Sequence, residues 1–340
     1  MELKVARKGD SELWNRIVQE SPHGTLFHTW EWLGAVEKQT GSMLYPLLGI
    51  KGESPLALMP VFLKKIRFAN LALSPPSRAL QLYMGPIFAD YYGLKQGKRE
   101  SYYSEFIREA NMFFASDLKC NFVRIRTPPG LIDARPFLWT GYKVEPLYTY
   151  MINLRGGVDN VWENFNKQLR VDINKTKNDG VEIKEGSMDD LEFLRTSVAE
   201  RFVEQGVKTP TSYKAYLSDV YKRFHPHNFR IFVARYKGKN VGGLTLLCYK
   251  KRASLWMGIP KSTVKGIYPN ELATWEAIRW ACGNGYEEFE IMDAGDDPRL
   301  RHFKSKFNPD IVPWFSAEKY SSFLYKSLEN VARKVRLGIR

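Results

Sequence analysis

The amino-acid sequence predicts a mixed α/β protein that contains two copies of one α/β unit. Two pairs of apolar runs, at 44–65 and 229–251, each surround a Lys-Gly turn and are typical of β-hairpins. Each hairpin is followed by a helical pattern and then by a short apolar strand. The chain has 340 residues, whereas a single hydrophobic core stops growing near ~250 to 300 residues. The repeated order of elements and the length together predict two domains.

The first copy starts with a predicted helix at 11–19, ahead of its hairpin, and continues with a helix at 103–118 and a strand at 122–126. A turn before Pro146 leads into a new strand, so we place the domain boundary there. The predicted domains are residues 1–146 and residues 147–340.

A helix that begins at Pro269 organises the second copy. Its apolar face predicts that the helix is buried, and the face consists of Leu272, Trp275, Ile278 and Cys282. Gly283 and Gly285 end the helix, and an inner strand is expected at 289–292.

A further helix follows an acidic turn at 293–298 and carries a candidate functional lysine. Leu300, Phe303 and Phe307 share its apolar side. Lys304 stands one position off that side, at the expected boundary between core and solvent. A cation held there by aromatic rings can stabilise negative charge on a substrate. The alternative is a surface lysine whose stem lies along the core.

One helix with two distinct sides is predicted at 161–177. Its apolar stripe consists of Trp162, Phe165, Leu169 and Ile173. Its other side is a polar, cationic ridge formed by Lys167, Arg170, Asn174 and Lys177. The ridge can bind phosphates, but a solvated basic face explains it equally well.

The charge of the chain favours anionic partners. A formal net charge of +14 and a pI near 9.5 suit RNA, phosphorylated substrates or an acidic membrane surface. A basic C-terminal helix, predicted at 321–337, can touch such a membrane or dock on the protein with its charges in solvent. Three distant cysteines without C-x-x-C suit a reducing compartment. Because no apolar stretch suits a signal or a spanning segment, we expect a cytoplasmic protein.

Several enzyme classes lack their motifs in this sequence. It has no G-x-S-x-G, no H-E-x-x-H, no P-loop and no strand followed by G-x-G-x-x-G. His225 and His227 flank a proline at a helix end, without an obvious third ligand. Asp293, Asp296 and Asp297 could hold a divalent cation, but roles as turn and capping residues of the next helix explain them at least as well. We therefore predict no metal site.

Five segments, taken in order, resemble the FemABX family. They are FHTWEWLGAVEK (27–38), MGPIFAD (84–90), LRVDINKTKNDGVEI (169–183), PNELATWEAIRWACGNGYEEFEIMDAG (269–295) and LRHFKSKFN (300–308). That family transfers amino acids from aminoacyl-tRNA onto the peptide of lipid-linked or nucleotide-linked cell-wall precursors. The resemblance implies two tandem GNAT-like acyltransferase domains. The second half has no long heptad stretch, which implies the compact form without a coiled-coil arm.

The resemblance assigns roles to residues of the second domain. Phe303 and Lys304 match the family's last Phe-Lys motif, so the lysine is expected to contact substrate phosphate and developing charge. Arg170 matches the arginine of the second-domain motif and is expected to bind precursor phosphates. Asn174 on the same ridge and Tyr268 before the buried helix are further candidates for substrate binding.

In the first domain the matches define three substrate-binding candidates. Trp32 corresponds to the aromatic residue of the early motif. Lys38 corresponds to the basic residue after it if a shift of one or two residues is allowed, and Asp90 corresponds to the acid of the Gly-Pro motif with a similar shift. The Gly-rich end of the Phe-Lys motif is replaced by Asn308-Pro309.

The implied function is aminoacyl transfer to an amine of a phosphorylated cell-envelope precursor, as in peptidoglycan biogenesis. The acceptor amine attacks the ester directly, so the reaction needs positioning and oxyanion stabilisation but no nucleophilic side chain. No cofactor is expected, since aminoacyl-tRNA is a co-substrate. We expect the site in a positively charged cleft between the two domains, with Lys304 at its wall.

Two alternatives remain open. An acyl-CoA-dependent N-acyltransferase of the wider GNAT group would bind pyrophosphate on backbone N–H groups of a Gly-rich turn at a helix start. Here that place reads STVKGIYPNEL (262–272), with one glycine and a proline that has no N–H, which disfavours CoA. The second alternative is a non-catalytic protein that binds an anionic glycopeptide, a lipid head group or RNA, and basic charge with many aromatic residues supports it equally well.

Overall fold

The computed structural model of the chain describes residues 1–67, 69–204, 213–258 and 264–321. The chain forms two compact units. Of the described residues, unit 1 contains those of Met1–Tyr148 and of 313–321, and unit 2 contains those of Thr149–Val312. Each unit has its own hydrophobic core on its own set of strands.

Unit 1 is a twisted set of strands covered by helices. Its elements are β1 (Glu2–Val5), α1 (Ser11–Glu20), α2 (Trp30–Thr40), β2 (Met43–Lys51), β3 (Ser54–Ile66), β4 (Ala69–Ser74), β5 (Ile87–Phe88), α3 (Gln96–Ser116), β6 (Phe122–Arg126), α4 (Arg135–Trp139) and the start of β7 (Lys143–Asn153). The strand order is β1-β2-β3-β4-β6, followed by the end of β13 (Asp310–Tyr320), and it is antiparallel except for the parallel pair β4 and β6. Buried residues of α3, such as Phe106 and Ile107, belong to the core on these strands.

Unit 2 repeats this arrangement. Its elements are the end of β7, α5 (Gly157–Asn164), α6 (Lys167–Asn178), β8 (Glu182–Glu185), α7 (Met188–Glu204), α8 (Tyr213–Phe224), β9 (Phe229–Tyr236), β10 (Lys239–Tyr249), β11 (Arg252–Gly258), α9 (Pro269–Gly283), β12 (Glu288–Met292), α10 (Pro298–Ser305) and the start of β13 (Asp310–Tyr320). The strand order is β7-β12-β11-β10-β9-β8, antiparallel except for the parallel pair β11 and β12.

The predicted duplication is confirmed by the order of elements. The series β1-α1-α2-β2-β3-β4-α3-β6-α4 in unit 1 corresponds to β8-α7-α8-β9-β10-β11-α9-β12-α10 in unit 2. Each predicted hairpin is in fact a three-stranded meander, because β4 and β11 continue it. The sequence analysis missed both third strands, since each is short and follows the hairpin after a tight turn that blurs the apolar pattern.

The units and the predicted domains differ at the end of the chain. The first unit ends two residues after the predicted boundary at 146, at Tyr148. The segment 313–320 was predicted to belong to the second domain, but it pairs with β6 of unit 1, with Ser316 opposite Arg126. A strand's sequence defines its pleat and its buried face, but not the strand with which it pairs.

Two predicted helices need comment. The helix predicted at 161–177 is two helices, α5 and α6, because Phe165 is extended and the Asn166 side chain caps α6 by accepting from the Gln168 amide. The predicted helix at 321–337 lies outside the described residues except for Ser321. Among the described residues, none of the helices has the length and apolarity needed to span a bilayer.

The prediction that α9 is buried is confirmed, although its buried side differs. Leu272 and Ile278 are buried, whereas Trp275 and Cys282 are only partly buried. Much of the buried side is alanine, for example Ala277 and Ala281. Small residues let a helix lie close to a sheet, and the apolar periodicity of large residues does not reveal them.

Candidate active site

The site begins where two parallel strands of unit 2 part. β11 and β12 pair over three residue pairs, from Arg252 opposite Glu288 to Ser254 opposite Glu290. β11 continues for four residues to Gly258, and β12 continues to Met292. We call the place between these two strand ends, 255–258 and 291–292, the strand opening. It lies at the carboxyl ends of parallel strands, where α/β proteins bind their ligands.

A fully buried carboxylate marks the last pair before the strand opening. Glu290 has no exposed surface. The Thr149 hydroxyl donates to its Oε1 at 2.8 Å, and the Ser254 hydroxyl donates to its Oε2 at 2.9 Å. A buried polar group needs hydrogen-bond partners, and these hydroxyls from β7 and β11 supply one for each carboxylate oxygen.

The end of β12 is irregular just after this carboxylate. Its pairing with β7 shifts between Glu290 and Met292, which is the sign of a β-bulge. Met292 has φ +59°, a left-handed conformation that costs a non-glycine residue of order 1–3 kcal/mol. Backbone strain of this kind is often found at functional sites.

The carbonyl groups at this irregular end bind Lys304. The Lys304 Nζ donates to the carbonyl oxygen of Met292 at 3.1 Å and to that of Asp293 at 2.6 Å. An ammonium group has three N–H donors, so one donor remains for a ligand as far as the described residues are concerned. Asp297 fixes the start of α10, since its side chain accepts from the Arg299 and Leu300 amides.

The structure corrects the predicted position of Lys304. It was expected at the boundary between core and solvent, yet it is the buried residue of α10, with 5% of its surface exposed. The two carbonyl groups replace water around its ammonium, which allows the burial. Phe307 is buried as expected, but Phe303 is only partly buried, with its ring centroid 5.4 Å from that of Phe307.

Burial changes the proton affinity of this lysine. Desolvation lowers the pKa of Lys304 from 10.5 to about 8, and the charges of Asp293 and Glu290 oppose this effect. The ammonium form is therefore lost just above neutral pH.

The predicted polar ridge lies on α6. Lys167, Asn174 and Lys177 are exposed and Arg170 is partly buried. Within the described part of the chain, their side chains form no hydrogen bond or ion pair, so the three cationic groups and the Asn174 amide are available to an anion. The neighbouring Lys175 is not available in this way, because its Nζ binds Asp179 at 3.0 Å and the Gly266 carbonyl at 2.5 Å.

Hydrogen bonds and an ion pair connect the elements that carry the predicted residues of unit 2. The Tyr268 amide donates to the Thr176 hydroxyl at 3.0 Å, which holds the start of α9 against α6. The Asn166 amide at the start of α6 donates to the carbonyl of Lys306, just after α10, at 2.9 Å. The Lys306 ammonium lies 3.4 Å from a Glu271 oxygen at the start of α9. These contacts thus link three elements: α6, which carries the ridge, the start of α9 and the residue just after α10.

The candidates in unit 1 do not share one face. Trp32 and Lys38 both lie on α2, but Trp32 is fully buried and Lys38 is exposed. The Trp32 Nε1 donates to Gln81 Oε1 at 2.5 Å, so the indole supports the core of the unit. Asp90 is exposed after β5, with φ +44°. Their roles in substrate binding stay predictions.

The sequence analysis missed Glu290 and its partners. The signal was present, since a glutamate stands inside the apolar strand predicted at 289–292. A charged residue at an inner position of a buried strand is rarely explained by packing alone. Its partners Thr149 and Ser254 had no such signal.

Comparisons with known proteins agree with this geometry. A sequence model of the acetyltransferase (GNAT) domain matches residues 163–305, a segment that lies within unit 2. No curated protein matches the sequence significantly. Among solved structures, FemX is similar over 93% of this chain and 97% of that chain, with a TM-score of 0.70 and 12% identity.

Two further structures share the fold. The C-terminal domain of a putative lysylphosphatidylglycerol synthetase from Agrobacterium fabrum has a TM-score of 0.55 and 13% identity, over 95% of this chain and 96% of that one. A tandem GNAT protein from the clavulanic acid biosynthesis pathway has a TM-score of 0.54 and 10% identity, over 94% of this chain and 98% of that one.

The domain match and the shared fold define the class of this protein. It is a transferase, an acyltransferase of GNAT fold with two tandem GNAT-like units. The predicted resemblance to the FemABX architecture is confirmed at the level of the fold by the similarity to FemX.

Proposed function

We propose that this acyltransferase moves an aminoacyl group from aminoacyl-tRNA to an amine of a phosphorylated cell-envelope precursor. The observation that carries the proposal is Lys304, a buried ammonium with one remaining donor beside the strand opening of unit 2. The similarity to FemX and to a protein named for an aminoacylated phospholipid supports aminoacyl transfer. Use of charged tRNA would locate the reaction in the cytoplasm.

The reaction requires side chains that supply charge and position the substrates, but it requires no nucleophilic side chain. The acceptor amine forms a C–N bond with the ester carbonyl carbon, and the C–O bond to the ribose then breaks. The proton leaves the amine and ends on the released ribose hydroxyl. Negative charge develops on the carbonyl oxygen in between, and the proposed role of the third N–H of Lys304 is to donate to this oxygen.

The ridge on α6 fits the phosphates of the substrates. Arg170, Asn174 and Lys177 project three hydrogen-bonding groups from one side of a helix that contacts Tyr268 and the end of α10. Guanidinium and ammonium groups are suited to phosphate recognition. The exposed Lys38 and Asp90 of unit 1 are proposed to bind the acceptor, whereas the buried Trp32 supports the core of that unit.

An acyl-CoA donor is the second candidate, and the match to an acetyltransferase domain favours it. One observation opposes it. Pro269 is the first residue of α9 and has no N–H, so the helix start offers one donor fewer to a pyrophosphate.

The acyl donor can be identified by testing the two candidate donors in parallel. Purified protein would be given nucleotide-linked or lipid-linked muropeptide precursors, with charged tRNA in one arm and acetyl-CoA in the other, and products would be measured by mass spectrometry. We expect an aminoacylated precursor only with charged tRNA. Acetylation in the second arm alone would favour the CoA-dependent enzyme, and binding without transfer in both arms would favour the non-catalytic binding protein.

A further inference from the structure

We propose that Glu290 is a positioning residue for Lys304, in which a carboxylate anchored by Thr149 and Ser254 provides the fixed negative charge that keeps the lysine charged and in place. This inference rests on the proposed function and adds a residue to that same site. Three observations lead to it: the burial of Glu290, its place in the strand, and the charges that act on the lysine.

The burial of Glu290 is hard to explain by stability. Its neighbours in β12, Phe289 and Ile291, are buried apolar residues of the core. Replacing a buried charged group by an apolar residue of similar volume is often neutral or stabilising. A carboxylate kept here with hydroxyl donors on two flanking strands therefore points to a role other than packing.

The place of Glu290 connects it to Lys304 through a short, constrained segment. Glu290 is the last residue of β12 in register with β11, and the bulge follows it. The carbonyl groups two and three residues later, at Met292 and Asp293, hold the lysine Nζ. The anchored carboxylate thus directly precedes the bulge, the carbonyl groups that bind the ammonium follow it, and both side chains are buried. Charges interact strongly in such a place because the local dielectric constant is low.

Two carboxylates act on the ammonium. Asp293 belongs to the turn after β12, and Glu290 belongs to β12 itself; both raise the pKa of Lys304 against the desolvation that lowers it to about 8. β7 and β11 face Glu290 with the neutral hydroxyls of Thr149 and Ser254. Asp293 is partly buried, whereas Glu290 is fully buried and held by side chains from two other strands. The Asp293 carboxylate accepts from the Gly295 amide of its own turn at 2.9 Å, so Glu290 is the carboxylate of the two that is anchored across strands.

A direct test measures the titration of Lys304 in the full chain by NMR with lysine labelled at the ε-carbon, without substrate. The Lys304→Met variant identifies the signal. We expect the midpoint to fall by about one pH unit or more in Glu290→Gln. The same change at Glu288, two residues earlier and paired with Arg252 at 2.9 Å, should leave the midpoint unchanged. An unchanged midpoint in folded Glu290→Gln would overturn the proposal.

A second variant protects the test against misfolding. If Glu290→Gln does not fold, the triple variant Glu290→Met, Thr149→Val, Ser254→Ala removes the carboxylate together with both donors and leaves no unpaired hydroxyl. The same downward shift is expected, and its absence would refute the role of Glu290.

A kinetic readout separates this inference from the proposed function. With a midpoint near pH 8 in the wild type, a shift of one unit predicts a transfer rate about fivefold lower at pH 8 in Glu290→Gln, with a smaller loss at lower pH. A structural role alone would lower the rate equally at every pH and leave the lysine midpoint in place, which would contradict the proposal. If no donor supports transfer, the proposed function fails, yet the NMR titration still decides whether Glu290 controls Lys304.

Discussion

The two units contain the same parallel strand pair, but only the pair of unit 2 opens. In unit 1, β4 and β6 pair over four residue pairs, up to the last residue of β4, Ser74, opposite Ile125. In unit 2, β11 runs four residues beyond its last pair. The duplicated fold therefore provides the strand pair twice, and the segment that follows it decides whether a site is formed.

The end of the pair in unit 1 is closed by the Gly-Pro segment. The Met84 amide donates to the Arg126 carbonyl at 3.0 Å, and the Gly85 amide donates to the Ser74 hydroxyl at 3.0 Å. Gly85 has φ +69°, and a Cβ on it would lie 2.6 Å from the Arg126 carbonyl oxygen. Only glycine fits this approach. The segment 84–85 thus occupies the end of the strand pair in unit 1, whereas Lys304 is held at the end of β12 in unit 2.

The largest expected effect concerns Lys304. Lys304→Met should reduce acyl transfer by about 100- to 1,000-fold, because the developing oxyanion loses a donor. The variant should remain folded, since methionine fills the site of the lysine stem. Rates would be measured under single-turnover conditions with the acyl donor that the parallel assays identify.

A lysine of unit 1 provides the control for this variant. The Lys319 ammonium also donates to a backbone carbonyl, that of Thr140, at 2.7 Å. Lys319→Met should therefore leave the transfer rate nearly unchanged. Equal losses in the two variants would indicate that the effect of Lys304 comes from the fold and not from the reaction.

Acidic pH should lower the stability of unit 1, because protonation of His28 disrupts its contact with the segment 84–85. Its Nδ1 accepts from the Thr25 amide, so its Nε2 carries the hydrogen and donates to the Met84 carbonyl at 3.0 Å. Burial lowers the pKa of His28 from 6.5 to about 4. Between these values the unfolded chain binds a proton that the folded chain does not. The free energy of unfolding should thus fall by about 3 kcal/mol as the pH drops from about 6.5 to about 4.

Urea unfolding at several pH values tests this expectation. The His28→Gln variant has no group at position 28 that titrates in this range. Its free energy of unfolding should therefore depend less on pH between 6.5 and 4. The exposed His227 serves as a control, because His227→Gln should keep the wild-type slope. If the free energy of unfolding of His28→Gln changed with pH as in the wild type, another group would be responsible for the acid sensitivity.

A smaller effect on stability is expected at Gly85. Gly85→Ala should lower the free energy of unfolding by about 1 to 3 kcal/mol more than Gly52→Ala, because the added Cβ collides with a backbone oxygen. Gly52 has a similar φ of +63° but nothing within 4 Å of its Cβ position, so its variant measures the backbone strain alone. Equal urea midpoints for the two variants would contradict the close contact between Gly85 and Arg126.

Much of this fold could be predicted from sequence, because its signals are local. The hairpins, the buried helix α9 and the duplicated order all follow from apolar periodicity and turn residues. The pairing of segment 313–320 with β6 could not be predicted, since it depends on a contact between residues almost 200 positions apart, as between Phe315 and Thr127.

The candidate site was predictable only in part. The family resemblance pointed to Lys304 and Arg170, but periodicity placed the lysine at the surface, since the pattern cannot foresee that two carbonyl groups replace its water. The Thr149 hydroxyl is 141 residues from Glu290 in sequence, so the network around this carboxylate required the folded structure. The opening of β11 and β12 likewise depends on strand register, which single residues do not reveal.

The pH dependence of acyl transfer by the wild-type protein tests the central claim most directly. If the ammonium of Lys304 stabilises the developing charge, the single-turnover rate should fall as the pH rises through about 8, where burial places its pKa, and approach a tenfold loss per further pH unit. The Lys319→Met variant should show the same fall in rate above pH 8. A rate that stays constant or rises from pH 7 to 10, with the protein folded throughout, would contradict the assignment of the reaction to Lys304.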